Sequence, residues 1–210
     1  LYNYVDNGLL SIKNIDLPEK LKRNTKEKKV RKNKRILGDS IELRPESVEL
    51  REEFGHWEVD TVLGSKYEDE PCTVTMTERK TRNSIWLKVD NHTADAVQEA
   101  IQGVVDNFGI MAATVFKSVT GDNGSEFSEF RALEKELNTV VYFAEPHKPW
   151  QRGTNENTND ILRFFFPKGY NFHSLDNETL QNIVLSINLR PKKCLGWLSP
   201  FEAFFGVALA

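Results

Sequence analysis

The sequence predicts an α/β domain in which helices cover both faces of a mixed five-stranded β-sheet. Three observations support this fold class. Three consecutive segments of alternating apolar and polar residues come first, and short turns join them. Segments with helical periodicity then alternate with further short strands. An antiparallel meander followed by alternating strands and helices is typical of a mixed sheet that is covered on both faces.

The meander occupies the first half of the predicted domain. Residues 57–63 form the first strand, and residues 72–77 alternate Cys, Val and Met with threonines to form the second. Residues 85–89 alternate again and form the third. The segment 64–71 between the first two strands contains Gly and Pro, which favour a turn. The three strands are therefore expected to pair antiparallel.

Thr93 marks a change of periodicity. Its side chain can cap a helix whose apolar positions recur at helical spacing up to Phe108, and Gly109 ends that helix. The later elements are predicted as a strand at 115–119, a helix at 127–137, a strand at 140–143, helices at 153–166 and 175–188, and a helix that begins at Pro200. This order of elements is that of an RNase H-like fold, in which the first and fourth strands are neighbours at the centre of the sheet.

Charge is unevenly distributed along the chain. Residues 20–35 hold ten of the 28 basic residues and one of the 31 acidic residues, so the rest of the chain has a net charge of −12. Such a basic stretch repels itself and is predicted to be a flexible linker, which is either a solvated spacer or an arm that tracks nucleic acid. We expect residues 1–52 to be the end of an N-terminal region followed by this linker, and residues 53–210 to form the compact RNase H-like domain. Because the chain begins at Leu1 in mid-pattern, we expect it to belong to a longer protein.

Other features of the sequence indicate a cytoplasmic protein. No apolar run reaches the ~18 residues of a membrane helix, and no signal peptide is visible, so no membrane partner is expected. Cys72 and Cys194 are far apart in apolar surroundings and are predicted to be buried, reduced thiols. The four tryptophans, Trp57, Trp86, Trp150 and Trp197, are predicted to belong to the core.

Three carboxylates that are distant in sequence are expected to meet at one point. Asp60 lies in the first strand, Asp122 follows the fourth strand, and Glu156 lies in the helix predicted at 153–166. An all-oxygen cluster of this kind suits Mg²⁺, which keeps open positions for phosphate and water. Two other acids lie near the trio in the sequence. Glu126 is predicted to cap a helix. Glu58 lies on the same side of the strand as Asp60 and is predicted either to be structural or to support the site.

Six segments of the chain form an ordered set of motifs. They are Gly55-His-Trp-Glu-Val-Asp60-Thr-Val-Leu-Gly64, Gly121-Asp122-Asn-Gly-Ser-Glu-Phe127, Trp150-Gln-Arg-Gly-Thr-Asn-Glu156-Asn-Thr-Asn159, Phe166-Pro-Lys-Gly169, Asn188-Leu-Arg-Pro-Lys-Lys-Cys-Leu-Gly196 and Ser199-Pro-Phe-Glu202. Together they resemble the IS30 family of insertion-sequence transposases, within the DDE transposase/integrase superfamily. Asp122 and Glu156 have 33 residues between them, as the second Asp and the Glu of the family do. Asp160 and Leu189 depart from the family pattern, but neither is one of the three carboxylates.

The resemblance implies that residues 53–210 are an integrase-type catalytic core that cleaves DNA and transfers strands. It implies Mg²⁺ or Mn²⁺ as cofactor, with two ions per active site when DNA is bound. Asp60 would bridge the two ions, and Asp122 and Glu156 would each hold one. Element ends and target DNA are the implied partners, in a homo-oligomeric synaptic complex in the bacterial cytoplasm.

Basic and polar residues near the trio are predicted to contact DNA. Arg163 and Asn159 share the helix face of Glu156 and are candidates for contact with the scissile strand. Lys148 and Arg152 precede that helix, near its positive N-terminal end. The linker adds six further candidates, Lys28, Lys29, Arg31, Lys32, Lys34 and Arg35.

Two other functions stay open at this point. One is an RNase H-fold nuclease that cuts DNA without joining it. The other is a non-catalytic DNA-binding or regulatory fragment, although a protein that only binds DNA has no need to keep three acids near a polyanion.

Overall fold

The computed structural model describes residues 2–13, 16, 38–64, 70–124, 127, 130, 134, 139–145, 151 and 153–208, except for the side chains of residues 2, 3, 156 and 208. The chain divides into two compact units, Leu1–Asn33 and Lys34–Ala210. In the first unit, Tyr2–Asp6 form a short helix, α1, and the amide of Gly8 donates to the carbonyl of Val5 after it. No helix in the described part of the chain is long and apolar enough to cross a membrane.

The second unit contains a six-stranded sheet. Its strands are β1 (Asp39–Ser40), β2 (His56–Leu63), β3 (Cys72–Glu78), β4 (Ser84–Val89), β5 (Ser118–Gly121) and β6 (Val140–Phe143), in the spatial order β1-β6-β5-β2-β3-β4. Pairing is antiparallel within β2-β3-β4 and parallel from β2 through β5 and β6 to β1. The predicted mixed sheet is confirmed, with one strand more than expected. The additional strand, β1, is only two residues long and carries no periodicity from which it could be predicted.

Helices and short 3₁₀ turns connect these strands. The α-helices are α2 (Glu46–Glu49), α3 (Ala94–Asn107), α4 (Ala112–Val115), α5 (Gly153–Phe165), α6 (Asn177–Asn188) and α7 (Pro200–Ala208). The 3₁₀ turns are Ile41–Leu43, Gly109–Met111, Phe172–Ser174 and Lys193–Leu195. Thr93 caps α3 as predicted, because its hydroxyl accepts from the amide of Ala96. The predicted helix at 127–137 lies almost entirely outside the described residues.

The prediction of a strand at 115–119 is wrong at its beginning. Residues Ala112–Val115 form the helical turn α4, and the strand that follows begins at Ser118. Val115 and Phe116 are apolar because they belong to the core: the indole of Trp57 donates to the carbonyl of Val115 over 2.7 Å and stacks on Phe116 at 5.1 Å. Tertiary packing therefore explains the apolar run that resembled a strand.

The two faces of the sheet differ in character. Trp57 and Val59 of β2 belong to one apolar core, which packs against α3. Val62 of β2 belongs to a second core, formed with α5 and α6. Because strand side chains alternate, Glu58 and Asp60 lie on the same face as Val62. That face also carries the buried threonines Thr73, Thr75 and Thr77 of β3, so α5 packs on a polar strip at the centre of the sheet.

Two predictions of burial are wrong. Cys194 is exposed, whereas Cys72 is buried. Trp197 is 68% exposed, whereas Trp57 and Trp86 are fully buried. Both exposed residues lie in the loop between α6 and α7, where no periodic pattern distinguishes a buried apolar residue from an exposed one. Trp150 lies outside the described residues.

Candidate active site

Asp60 and Asp122 lie at the same level of two adjacent parallel strands. In the pairing of β2 with β5, Glu58 stands opposite Thr120. Each aspartate follows its member of that pair by two residues, and neighbouring strands are about 4.8 Å apart. Asp60 is within β2, and Asp122 comes directly after the last residue of β5. This register agrees with the predicted convergence of the two carboxylates, which stays a prediction.

Local hydrogen bonds orient both carboxylates. Oδ1 of Asp60 accepts from the amide of Thr61 over 2.9 Å, and its Oδ2 accepts from Nδ2 of Asn159 over 2.8 Å. Oδ1 of Asp122 accepts from the amide of Gly124 over 2.7 Å, which forms a tight turn at the end of the strand. Both residues are half-buried. Their oxygens are thus held in place at the edge of the polar strip.

Two asparagines fix the beginning of α5 against β2. The amide of Asn155 donates to Oε2 of Glu58 over 3.1 Å, and its side chain donates to the carbonyl of Val59 over 3.1 Å. One helical turn later, Asn159 donates to Asp60. Glu156 lies between these two anchors on α5. Its backbone is therefore held within one turn of the helix residue that contacts Asp60, while its side chain lies outside the described residues.

The sequence left two roles open for Glu58, a structural one and a support for the site, and its contacts favour the second. It is fully buried and forms an ion pair with Arg79, which is also buried. Arg79 Nε also donates to the carbonyl of Val48 over 3.1 Å. Glu58 thus links the segment before β2, the turn after β3 and the first turn of α5. Its position two residues before Asp60 gave a signal for this role, but neither Arg79 nor Asn155 could be identified as its partner from spacing.

The chemistry of the donors fits a hard divalent cation. Carboxylate oxygens are the ligands that Mg²⁺ and Mn²⁺ prefer, and a two-aspartate edge leaves room for a third acid from α5. Among the side chains that the structure describes, no three Asp, Glu, His or Cys residues form a metal-binding group. Glu156, the third member of the predicted trio, is not one of those side chains. The assignment of Asp60, Asp122 and Glu156 as metal ligands remains a prediction.

Two of the residues predicted to contact DNA have protein partners. Asn159 bonds Asp60, and Oγ1 of Thr75 donates to its Oδ1 over 3.5 Å. Arg163 is half-buried, and its Nη2 donates to the carbonyl of Leu63 over 2.8 Å, while burial lowers its pKa. Both are therefore tied to β2 and its end. The other candidates, Lys28, Lys29, Arg31, Lys32, Lys34, Arg35, Lys148 and Arg152, lie outside the described residues.

Two histidines, His56 and His92, make local hydrogen bonds. Nδ1 of His56 lies 2.7 Å from Oγ of Ser118, and Nε2 of His92 lies 2.9 Å from Oγ1 of Thr61. Burial is the largest influence on the pKa of His56 and lowers it; Glu53 opposes this shift.

Comparison with known proteins identifies the same core. The integrase core domain family matches residues 51–149. The chain is 40% identical over 204 residues to a probable transposase for the insertion-like sequence element IS1161 of Streptococcus salivarius, which covers 97% of this chain and 57% of that protein. It is 34% identical to the transposase of IS30C of Escherichia coli over 83% of this chain and 44% of that protein. The chain thus spans about half the length of the curated relatives it matches.

A solved structure agrees with the fold. The catalytic core domain of BIV integrase superposes with a TM-score of 0.56 at 18% identity, over 73% of this chain and 95% of that one. The sequence relatives, the integrase core match and the strand order agree with one another. The chain belongs to the IS30-type insertion-sequence transposases of the DDE superfamily and contains their integrase-type core.

Proposed function

We propose that this chain is a transposase catalytic domain that cleaves DNA at the ends of a mobile element and joins the freed ends to target DNA. The observation that carries the proposal is the pairing of β2 with β5, in which Asp60 and Asp122 each follow one member of the Glu58–Thr120 pair by two residues. Asn155 and Asn159 hold the helix that carries Glu156 against β2. Family membership supports the same activity. We assign this activity to residues 53–210 and a DNA-tracking role to the basic segment 20–35.

The proposed reaction consists of two phosphoryl transfers. In cleavage, water attacks the phosphorus at the element end, the bond from phosphorus to the 3′ oxygen breaks, and that oxygen takes a proton. In joining, the freed 3′-hydroxyl attacks a phosphorus of target DNA and displaces another 3′ oxygen. Each joining step forms one phosphodiester bond and breaks one, so no nucleotide cofactor is required.

Asp60, Asp122 and Glu156 would hold the cations. Bound Mg²⁺ or Mn²⁺ would supply activation of the attacking oxygen and stabilisation of the leaving oxygen. The chain's own contribution is orientation: Asn159 and the amide of Thr61 fix the Asp60 carboxylate, and Gly124 fixes that of Asp122. Since two DNA ends must react together, we propose that the active form is a homo-oligomer on DNA in the bacterial cytoplasm.

The test uses two labelled DNA substrates with Mg²⁺ or Mn²⁺. A linear duplex carrying an element end tests cleavage and joining. A branched duplex, in which a 3′-hydroxyl already lies beside a joined phosphodiester, tests transesterification without recognition of the element end. The native chain is compared with Asp122→Asn, which removes a charge and keeps the shape. Asp160→Asn is the matched control, because Asp160 lies on the exposed surface of α5.

We expect joined products from the native chain and from Asp160→Asn, and a loss of about 10³-fold in Asp122→Asn, since removal of a metal ligand forfeits several kcal/mol of transition-state stabilisation. Nicking without joined products on either substrate would instead indicate a nuclease. Equal activity in Asp122→Asn and the native chain would refute the assigned site. DNA binding without any metal-dependent product would indicate a fragment that only binds.

A further inference from the structure

A cationic cavity opens beside the first turns of α5. Its volume is about 320 Å³, and Thr154 and Asn157 of the helix contribute to its wall. The opposite wall comes from three segments that are far apart in the sequence and supply Arg51, Arg82 and Lys192. We call this cavity the α5 pocket. It lies on a different flank of the helix from the active site, because Asn155 and Asn159, which face β2, are about half a turn away from Thr154 and Asn157.

The α5 pocket has an excess of positive charge. None of the described residues that line it is acidic. Burial is the largest influence on Arg51 and on Lys192 and lowers the pKa of each. Arg82 lowers both further, while Cys194 opposes the shift of both and Glu58 opposes that of Arg51. Guanidinium groups nevertheless stay charged at neutral pH because their ordinary pKa lies far above 7. The protein thus gathers like charges in one concave site, which is unfavourable unless an anion joins them.

The hydrogen-bond donors of the pocket also outnumber the acceptors that it offers. Nη2 of Arg51 and Nη1 of Arg82 both donate to the single hydroxyl of Thr154, over 3.3 and 3.2 Å. Nε of Arg51 is shielded from solvent and meets no acceptor within the described part of the chain. Planar guanidinium groups match phosphate oxygens in a bidentate manner. An incoming phosphate would supply the acceptors that one threonine hydroxyl cannot.

The backbone around the pocket is held in uncommon conformations. Arg51 and Arg82 both have φ of +62°, and Trp197 has φ of +72°. These are the three described residues other than glycine with positive φ. The amide of Trp197 donates to the carbonyl of Lys192 over 3.1 Å, so the third strained residue supports the loop that carries the lysine. Such conformations cost free energy and persist where surrounding structure enforces them, often at functional sites.

We propose that the α5 pocket binds a phosphate group of the DNA backbone and so docks a DNA strand on the flank of α5 that faces away from Asp60. This inference rests on the proposed function, because it assumes that DNA is the substrate. The beginning of α5 adds its positive helix end to the three cations. The docked DNA and the catalytic aspartates would then lie against the same rigid helix. The pocket would therefore set the position of the DNA strand relative to the catalytic carboxylates.

The test measures binding without chemistry. Fluorescence anisotropy of a labelled duplex oligonucleotide is recorded in EDTA at several salt concentrations for the native chain and Lys192→Gln. Lys193→Gln is the matched control: it removes the same charge from the next residue, which is exposed and does not line the pocket. Melting temperatures of both variants verify that the fold is retained.

We expect Lys192→Gln to weaken binding roughly three- to tenfold and to lower the slope of log K against log [salt] by about one, as for the loss of one phosphate contact. Lys193→Gln should change affinity less than about twofold and leave the slope unchanged. Equal affinities and equal slopes for the two variants would overturn the proposal. Because the assay contains no metal, a failure of strand transfer cannot be mistaken for a failure of binding.

Cys194 offers a second readout inside the pocket. It is exposed and lines the cavity, whereas Cys72 is buried, so an uncharged maleimide should label Cys194 selectively in the folded protein. The oligonucleotide is expected to slow this labelling in the native chain and in Lys193→Gln, and to slow it less in Lys192→Gln. Unchanged labelling in the native chain with saturating DNA would refute the pocket as a docking site. Equal protection by inorganic phosphate at the same phosphate concentration would indicate a free-anion site and would also overturn the DNA assignment.

Discussion

The charged residues that face the two flanks of helix α5 are of opposite sign, and the hydrogen bonds between the helix and these residues run in opposite directions. On the β2 flank, the helix donates: Asn155 and Asn159 give their N–H groups to Glu58, to a strand carbonyl and to Asp60. On the other flank the helix accepts, since Thr154 receives bonds from Arg51 and Arg82. Acidic oxygens that suit a cation and basic groups that suit a phosphate are thus separated by about half a helical turn.

The difference indicates how one helix can serve two requirements of phosphoryl transfer. The chemistry needs concentrated negative charge to hold cations, yet that charge repels the DNA on which the site acts. Placing the cationic groups on the far flank of the same helix attracts the strand without neutralising the carboxylates. Variants that displace the helix should therefore damage both flanks, whereas variants of one contact should damage only one.

Removal of Arg79 should have the largest effect, because it supports both flanks. Arg79 pairs with the buried Glu58, which holds the first turn of α5, and it donates to Val48 in the segment that leads to Arg51. Arg79→Met leaves the Glu58 charge buried without its partner. Breaking such a pair typically costs about 3–5 kcal/mol. We expect Arg79→Met to lower the free energy of unfolding in urea by that amount, with loss of both strand transfer and DNA binding.

Arg190→Met is the control for this prediction. Arg190 is exposed, and its replacement should change the free energy of unfolding by less than about 0.5 kcal/mol. A native-like urea midpoint for Arg79→Met would contradict the view that the buried pair fixes the helix.

Replacement of Asn159 should damage the β2 flank alone. Its Nδ2 donates to Oδ2 of Asp60, and hydrogen bonds to charged groups contribute about 1.5–3 kcal/mol. Asn159→Ala is therefore expected to reduce the rate of joining on the branched substrate by about tenfold or more, while affinity for the oligonucleotide in EDTA changes little. Single-turnover kinetics at saturating DNA separates the rate from binding.

The neighbouring Asp160→Ala is the matched control, because that side chain is exposed on the same helix. If Asn159→Ala weakened DNA binding as much as it slowed joining, Asn159 would be a DNA contact, as the sequence first suggested, rather than a positioning residue for Asp60.

The sequence predicts the β2 flank far better than the pocket flank, for a physical reason. Asp60 lies in a strand and Asp122 directly follows one, and alternation and turn residues reveal both positions, so the element order alone assigns them to neighbouring strands. The α5 pocket draws on Arg51, Arg82 and Lys192, which lie in non-periodic connections where residue type does not encode neighbours. For the same reason, the sequence does not reveal the pairing of Glu58 with Arg79 or the two-residue strand β1. Local patterns specify regular elements, whereas loop contacts depend on how those elements pack.

The smallest expected effect is the dependence of the free energy of unfolding on pH. It should arise from His56 and leave both flanks of α5 unaffected. His56 is the first residue of β2, four residues before Asp60, with Ser118 beside its Nδ1 and Glu53 3.5 Å from its Nε2. Burial is the main cause of its lowered pKa, to which Lys117 and Arg79 add, while Glu53 opposes the shift. The unfolded chain therefore binds more protons than the folded one as pH falls through the ordinary histidine value of about 6.5.

Stability should accordingly decline as pH is lowered from 7.5 to 5.5, by at most about 1.4 kcal/mol per pH unit for this one group, and level off below the folded pKa of His56. Urea unfolding of the native chain and of His56→Gln across this range measures the difference, and the variant should show the shallower decline. DNA affinity in EDTA, measured at pH 6 and pH 7.5, should change equally in the two proteins, since His56 contacts neither flank of α5. A larger change in the native protein would mean that protonation at this end of β2 is transmitted to the helix, and the two flanks would then not be independent of the strand that supports them.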